Sequence, residues 1–520
     1  MNQILSHLKF IVLMLGLFFQ SCTGNFDEIN RNPYQPTDRD LQGDNYKLGA
    51  FLPQLQNNVC PTQENDYQMC QNLIGDVYGR YMSITNDAWK TSYSTFNAPT
   101  NWINYPFNSV FTKIYGAWSQ IKKETNGKGE IFAWAQILRI AAMHRMSDLY
   151  GPIPYNNVAD GSIAVAYDDQ QTVYSSFFTD LNNAIEVLTD YVSENSGLSP
   201  LADYDYVYSG KLEQWIRFAN SLKLRLALRI VYADPTLAKK MAEEAISHPI
   251  GIIASNSDNA AITCSTNPIK VMWDAYSDTR ACADIIAYMT SYQDPRTDKY
   301  FLKGNINGQQ GYFGLRSGIN IKSKAWALQY SAPQINTTDK LMWLNAAEVA
   351  FLMAESALRG WNMGNSADHF YNKGIQLSFD QYGATGVDRY IANNTLKPSF
   401  YEDPYGEFSE TIKNTTTIQW EENAPFEEKL ERIITQKWIA MYPMGMEAWS
   451  DFRRTGYPRF LPVLVNNGVG VSSEKLARRI PFPPSELENN RDNYLEAIFL
   501  LGGNDTYSTR LWWDQNPLTK

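Results

Sequence analysis

The fold class is decided by one long stretch, Ile131-Phe-Ala-Trp-Ala-Gln-Ile-Leu-Arg-Ile-Ala-Ala-Met-His-Arg-Met-Ser-Asp-Leu-Tyr150, which Gly151-Pro152 follows directly. Its apolar residues recur every three or four positions, the period of one helix face. They are Ile131, Trp134, Leu138, Ala141, Ala142, Met146 and Leu149. The Gly-Pro pair ends the pattern, because proline cannot continue a helix. The stretch therefore predicts a long amphipathic helix and a mainly α protein.

The same period recurs further along the chain, within residues 173–191, 215–230, 344–358 and 430–441. Asp234-Pro235 is typical of an N-cap followed by a first-turn proline, and predicts a shorter helix reaching about Ser247. Several of these helices are joined by short connections, as in helix hairpins. We find no regular 34-residue period, so tetratricopeptide repeats cannot be assigned from spacing alone.

Long polar, aromatic-rich segments separate the helices, at about residues 86–112, 250–340 and 383–425. Segments of this length without a pattern of their own are often functional surfaces. No low-complexity linker divides the chain. We therefore expect residues 41–520 to form one compact body with a helical half and a loop-rich half.

The N-terminus predicts export. The apolar run from Phe10 to Phe19 spans only about 15 Å as a helix, which is half of a bilayer core. It therefore resembles the core of a signal peptide over residues 1–21. Cys22 follows a small residue, which favours cleavage and acylation there, and an ordinary secretory peptide is the alternative. Residues 22–40 are polar and are predicted to be a tether, in which the Asp27-Glu28 pair faintly favours export to the outer face of an outer membrane.

The charge pattern bears on the class of partner. The formal net charge is −10, and no block of Lys or Arg is present. A nucleic-acid-binding protein carries a basic patch, so we expect no nucleic-acid partner.

Four cysteines remain besides Cys22, an even number in an exported chain. Of the three pairings that four cysteines allow, we favour Cys60–Cys70 with Cys264–Cys282, since each bond would close one local loop. Free, buried thiols are the alternative. None of the spacings is Cys-x-x-Cys, which disfavours a zinc ribbon.

Catalytic motifs are absent from the sequence. Neither His-Glu-x-x-His nor Gly-x-Ser-x-Gly occurs, and no glycine-rich phosphate loop is present. Glu447 and Asp451 share a helix face as a glycosidase pair could, but Arg453 and Arg454 beside them favour a structural ion-pair network. We therefore expect no catalytic residue, no metal and no cofactor. A structural calcium is left open.

Aromatic residues are the strongest functional signal, with 14 Trp and 32 Tyr. Sugars present apolar C–H faces and hydroxyls, so a sugar site combines flat rings with short polar side chains. The segment that begins at residue 86 carries both kinds of side chain. Its predicted ligand-binding residues are Trp89, Tyr93, Asn101, Trp102 and Tyr105. By contrast, Trp134, Trp215 and Trp438 lie on regular apolar faces and are predicted to be core.

Several segments resemble the SusD/RagB lipoproteins, and they occur in that family's order almost from end to end of the chain. They are Asn25–Pro33, Ser147–Tyr155, Lys211–Arg225, Asp294-Pro-Arg296, Ala346–Trp361, Ile434-Thr-Gln-Lys-Trp438, Glu447-Ala-Trp-Ser-Asp-Phe-Arg-Arg-Thr-Gly-Tyr-Pro458 and Arg478-Arg-Ile-Pro-Phe-Pro483. The resemblance implies four tetratricopeptide-like helix pairs that carry a large loop-rich lobe. It also implies a lipid-anchored position on the outer membrane, exposed at the cell surface.

The resemblance further implies a partner, a SusC-like TonB-dependent barrel that takes up what the lipoprotein captures. Family members are not enzymes, and their ligands range from glycans to peptides. In glycan-binding relatives an arc of aromatics is drawn from an N-terminal loop and the middle lobe. By region, this adds Trp273, Asp274, Tyr276, Tyr312, Arg316 and Trp326 to the predicted site.

Glycan capture is the leading hypothesis. Peptide or small-nutrient binding by the same architecture is the second, and a surface glycoside hydrolase is the third.

Overall fold

Long helices make up most of the computed structural model, which describes residues 46–158 and 164–520. The signal peptide, Cys22 and the tether lie outside the described residues. The helices of nine or more residues are α1 (Phe51–Val59), α2 (Thr100–Glu124), α3 (Gly129–Tyr150), α4 (Gln170–Glu194), α5 (Leu212–Arg229), α6 (Pro235–Ser247), α7 (Ala283–Ser291), α8 (Ala346–Leu358), α9 (Ala367–Tyr382), α10 (Phe426–Ala440), α11 (Gly445–Thr455) and α12 (Arg491–Leu501).

Shorter helical turns connect them. The α-helical turns are Tyr46–Gly49, Glu64–Tyr67, Pro268–Lys270, Thr297–Tyr300, Lys324–Ala327, Val387–Ile391 and Pro484–Asn489. In the described part of the chain, two segments are π-helical, the nine-residue Gln68–Asp76 and Val271–Ala275, and four are 3₁₀ turns, Tyr93–Thr95, Ala202–Tyr204, Asn256–Asp258 and Pro517–Thr519. Within the described ranges, every helix is too short or too polar to serve as a membrane span.

Strands are short and pair only in twos, all antiparallel. They are β1 (Met82–Ile84), β2 (Ala260–Ile262), β3 (Thr279–Ala281), β4 (Phe301–Leu302), β5 (Gly304–Ile306), β6 (Gln309–Gly311), β7 (Ala332–Pro333), β8 (Leu341–Leu344), β9 (Phe400–Tyr401) and β10 (Glu410–Thr411). The pairs are β1–β3, β2–β8, β4–β7, β5–β6 and β9–β10. With so little sheet, the mainly α class is confirmed.

The helices pack as sequential pairs, α3 with α4, α5 with α6 and α8 with α9, and α10 lies against both α8 and α9. The periodic stretches that predicted them fall within α3, α4, α5, α8 and α10. The predicted N-cap of α6 is also present, since the Asp234 side chain accepts a hydrogen bond from the Leu237 N–H. A side-chain cap of this kind satisfies one of the N–H groups left free at a helix start.

One expectation needs correction. Helix α2 begins at Thr100, inside the segment that we predicted to be loop from residue 86 to residue 112. Asn101, Trp102 and Tyr105 therefore lie on a helix. The misleading signals were the polar residues of the first turns and Pro106, which stands inside the helix although proline removes one backbone hydrogen bond.

Buried ion pairs tie the helices to one another. Arg225 of α5 contacts Glu348 of α8 at 2.7 Å, and Arg229 contacts Glu447 of α11 at 2.5 Å. Lys437 of α10 is 2.7 Å from Asp451. Glu447 and Asp451 are thus held in an internal network, as the sequence indicated. Trp134, Trp215 and Trp438 are buried core residues, also as predicted.

Candidate functional site

The candidate site is an aromatic surface formed by Trp89, Trp102, Tyr105, Trp273 and Tyr276. Trp89 comes from the N-terminal loop, Trp102 and Tyr105 from the first turns of α2, and the other two from the π-helical turn Val271–Ala275 and its end. The predicted residues from the N-terminal segment and those from the middle region meet at the turn that contains Asn65 and Asp66. Tyr276 donates to Asn65 at 3.0 Å, while Tyr105 donates to the neighbouring Asp66 at 3.0 Å.

Backbone pairing brings the two halves together. Strand β1 pairs with β3, and the Thr85 N–H continues the ladder to the Asp278 carbonyl at 2.9 Å. Lys324 then joins both loops. Its Nζ donates to Tyr276 O at 2.8 Å and to Asp278 Oδ1 at 2.9 Å, and its backbone N–H donates to Asp87 Oδ1 at 3.0 Å. The loop that leads to Trp89 is therefore fixed against the turn that carries Tyr276.

Trp89 and Trp102 form the N-terminal part of the surface. Their rings meet edge to face, with centroids 5.1 Å apart, an arrangement favoured by the ring quadrupoles. Trp89 is half-buried, whereas Trp102 keeps only 9% of its surface exposed. Asn101 is exposed beside Trp102 on the same turn.

Tyr93 supports this part of the surface from below. It is fully buried, its ring lies 5.9 Å from that of Trp102, and its hydroxyl donates to the Trp102 carbonyl at 2.9 Å. We therefore leave Tyr93 out of the predicted ligand contacts. The polar residues around Tyr93 in the sequence gave no sign that its side chain is buried.

Tyr105 carries a polar cluster at the centre of the surface. Asp66 accepts from Tyr105, from Ser109 at 2.8 Å and from the Lys113 ammonium. Burial, then the Asp66 charge, raises the pKa of Tyr105 to about 12, so its hydroxyl keeps its proton at neutral pH. Asp66 itself is buried, and Tyr105, the member of the cluster on the aromatic surface, is half-buried.

Trp273 lies at the other end, under a cation. Lys270 Nζ is 3.9 Å from the Trp273 ring centroid and 2.9 Å from Asp274, whose carboxylate is exposed. A cation over an indole face is attractive but weak at an exposed site, about 0.5–1 kcal/mol.

Three predicted residues lie elsewhere. Arg316 is buried and donates to the Pro462 carbonyl at 2.8 Å, so it is not available to a ligand. Trp326 is 9% exposed and belongs to a small separate core with Leu315 and Tyr330. Tyr312 is half-buried, with its ring 5.7 Å from Lys303 Nζ. The described contacts do not link Tyr312 to the aromatic surface.

The sequence did not point to Asn65, Asp66, Asp87 or Lys324. Asp87 and Lys324 are 237 positions apart, and Tyr276 and Asn65 are 211 positions apart. Contacts over such separations leave no local pattern in a single sequence.

The cysteines also differ from expectation. Cys60, Cys70, Cys264 and Cys282 are all free, and all but Cys264 are buried, so the favoured Cys60–Cys70 and Cys264–Cys282 bonds are absent. Cys282 donates to Asp284 at 3.2 Å instead, while the Cys264 thiol points to the Ile262 carbonyl at 3.7 Å. Burial, then the Asp284 charge, raises the pKa of Cys282 to about 12. The alternative of free thiols fits the structure.

Titratable groups do not gather into a metal site in the part of the chain that the structure describes. His144 is buried, and burial, then the nearby Arg225, lowers its pKa to about 3. Its Nδ1 lies 3.1 Å from the Ile140 carbonyl.

Comparison with known proteins gives one consistent picture. A family model described as "Susd and RagB outer membrane lipoprotein" matches residues 28–514. No curated protein sequence matches the chain.

Solved structures agree with the family match. A SusD homologue from Bacteroides thetaiotaomicron is 40% identical, with a TM-score of 0.86 over 91% of this chain and 99% of its own. Another from Bacteroides uniformis is 43% identical, with a TM-score of 0.85 over 90% and 99%. A chitin-binding SusD homologue from Flavobacterium johnsoniae is 37% identical, with a TM-score of 0.87 over 91% and 100%.

Proposed function

The chain belongs to the SusD-like family of outer-membrane lipoproteins, and we propose that it captures a glycan on its aromatic surface. The captured glycan passes to a SusC-like TonB-dependent transporter, the kind of barrel with which this family generally associates. In this proposal Cys22 carries the lipid that holds the protein at the outer face of the outer membrane.

The observation that carries the proposal is the combination of rings and fixed polar groups on one surface. Trp89, Tyr105, Trp273 and Tyr276 are partly exposed, and the hydroxyls of Tyr105 and Tyr276 are fixed by the adjacent residues Asp66 and Asn65. Ring faces contact the C–H faces of a sugar, and fixed donors and acceptors orient its hydroxyls. The Flavobacterium homologue is described as chitin-binding, which is consistent with a glycan ligand.

We propose that the protein does not cleave what it binds. SusD-like proteins are binding proteins, and the carboxylates that could suggest a hydrolase are engaged elsewhere. Glu447 accepts from Arg229, Glu348 from Arg225 and Glu355 from Arg454, all in the interior. A glycosidase needs two carboxyls facing each other across an open cleft.

The test is affinity electrophoresis of the mature protein without Cys22, through native gels cast with a panel of polysaccharides. We expect one glycan to retard the protein and Trp89→Ala to weaken that retardation, with no release of reducing sugar. Losing one ring contact of about 0.5–1.5 kcal/mol should weaken binding about two- to tenfold. Trp420→Ala, which removes another half-buried tryptophan, is the matched control.

Each outcome separates the hypotheses. Released sugar would support a hydrolase, and no retardation by any glycan would move the proposal to peptides or small nutrients. Equal effects of Trp89→Ala and Trp420→Ala would remove the aromatic surface as the binding site.

A further inference from the structure

A second concave surface, which we call the helix groove, lies between α6, α8 and α9. Its volume is about 1080 Å³. It shares no residue with the aromatic surface, and the proposed glycan capture does not use it. Residues of all three helices line it: we call α6 and α9 its walls and α8 its floor. Helix α8 packs with α9, while α6 packs with α5.

The floor has the spacing of a helix-packing face. Ala346, Val349, Ala350 and Met353 recur at i, i+3, i+4 and i+7 along α8, and all four line the groove, at the bottom of which the first three are buried and Met353 is half-buried. Residues at this spacing lie on one side of a helix, and the two alanines leave room for close approach of another backbone. Other apolar side chains complete the lining, namely Ile246, Ile252, Ile253, Met363, Phe370 and Leu377.

The walls differ in charge. On α6, Lys239 and Lys240 face Glu243 and Glu244 at 3.9 Å and 3.8 Å, so this wall is close to neutral. On α9, Lys373 is exposed and has no ion pair with the described residues. The α9 wall therefore contributes one positive charge, unpaired among the described residues, to the groove.

We propose that the helix groove binds an amphipathic helix of a partner protein, with apolar side chains on the α8 floor and carboxylates facing Lys373. A helix about 10 Å across occupies roughly 400 Å³ per turn, so the groove has room for two to three turns. Helix-in-groove recognition uses apolar anchors at i, i+3, i+4 and i+7, the spacing that the floor itself shows.

The probe is a fluorescein-labelled 14-residue helical peptide with leucines at i, i+3, i+4 and i+7 and glutamates along one flank. A second probe carries lysines in place of the glutamates. Fluorescence anisotropy with the mature protein should show tighter binding of the glutamate probe. Phe370→Ala should weaken it about tenfold through lost apolar contact. Lys373→Glu should weaken it about fivefold and should improve binding of the lysine probe.

Lys397→Glu, at an exposed lysine outside the groove, controls for the change in net charge and should leave both probes unaffected. The polysaccharide retardation should be unchanged in Phe370→Ala and Lys373→Glu, which separates the two surfaces. Binding of both probes with equal affinity, or binding that survives Phe370→Ala, would overturn the proposal. The proposal would also be overturned if dodecanoate displaced the probe and bound more tightly than the probe does. A dimer seen by light scattering and dissociated by Phe370→Ala would overturn it as well.

Discussion

At the residue scale, the buried carboxylates show how this interior depends on pairing. Glu355 is buried and accepts from Arg454 at 2.7 Å and from Arg359 at 3.0 Å. Burial alone would raise the pKa of Glu355, but the two guanidinium groups outweigh it and lower the pKa to about 2. A carboxyl whose folded pKa lies below its unfolded value of 4.5 stabilises the protein above pH 4.5. That contribution is lost as pH falls from about 4.5 to 2.

Glu355→Gln should therefore lower the free energy of unfolding at pH 7 by about 3–5 kcal/mol, because it leaves the buried Arg454 and the half-buried Arg359 without their shared anion. The deficit should shrink as pH falls toward 2, where the wild-type carboxylate is itself lost. Urea unfolding followed by circular dichroism at pH 7, 5 and 3 measures both effects. Glu474→Gln, at an exposed pair with Lys413, should change stability by less than about 1 kcal/mol. A constant deficit at every pH would contradict the assigned pKa.

At the element scale, the candidate site depends on two loops held in register. The Lys324 ammonium binds the turn at Tyr276–Asp278, and the Lys324 backbone N–H binds Asp87. The Asn86 side chain also donates to Asp278 at 3.3 Å, so replacing the ammonium should loosen the Tyr276 turn while β1 and β3 remain paired.

Lys324→Met is expected to weaken retardation by the glycan about three- to tenfold with a modest loss of thermal stability, since Lys324 is half-exposed although its partner Asp278 is buried, and solvent screens such a pair in part. Lys324→Arg should restore part of the affinity. Lys340→Met, at an exposed lysine, is the control. If Lys324→Met lowered stability and left retardation intact, Lys324 would be a structural residue only.

The elements that could be predicted from the sequence are those with local signals. The apolar face of α3 from Ile131 to Leu149 and the Asp234 N-cap could be predicted because each depends only on residues close by in the sequence. The start of α2 was missed because its first turns are polar and include Pro106. In the site, Trp89 and Tyr276 are partly exposed, and their role in ligand binding stays a prediction.

The rest of the site could not be read from the chain, because it depends on contacts between distant residues. Tyr93 and Arg316 are buried by segments far away, and nothing near them in the sequence indicates it. The same is true of Lys324, whose partner Asp87 is 237 positions away.

At the scale of the whole molecule, the C-terminus closes the core that begins near α1. One cluster of buried apolar side chains runs from Leu52 to Trp513. Trp513 is fully buried, and its indole N–H donates to Asp148 of α3 at 2.8 Å. Asp148 also lies 3.4 Å from Arg229 of α5. The last residues therefore share their contacts with the central helices.

Because this core is shared, we expect residues 50–520 to unfold in one cooperative transition although the chain is long, since separate transitions arise where domains have separate cores. Trp513→Ala should destabilise that transition by about 3–5 kcal/mol, through a large cavity and the lost hydrogen bond to Asp148. Differential scanning calorimetry should show the whole peak moving to lower temperature. Trp512→Ala, at the half-buried neighbour, should move it much less. A new minor peak in Trp513→Ala, with the main peak unmoved, would mean that the C-terminal segment unfolds by itself.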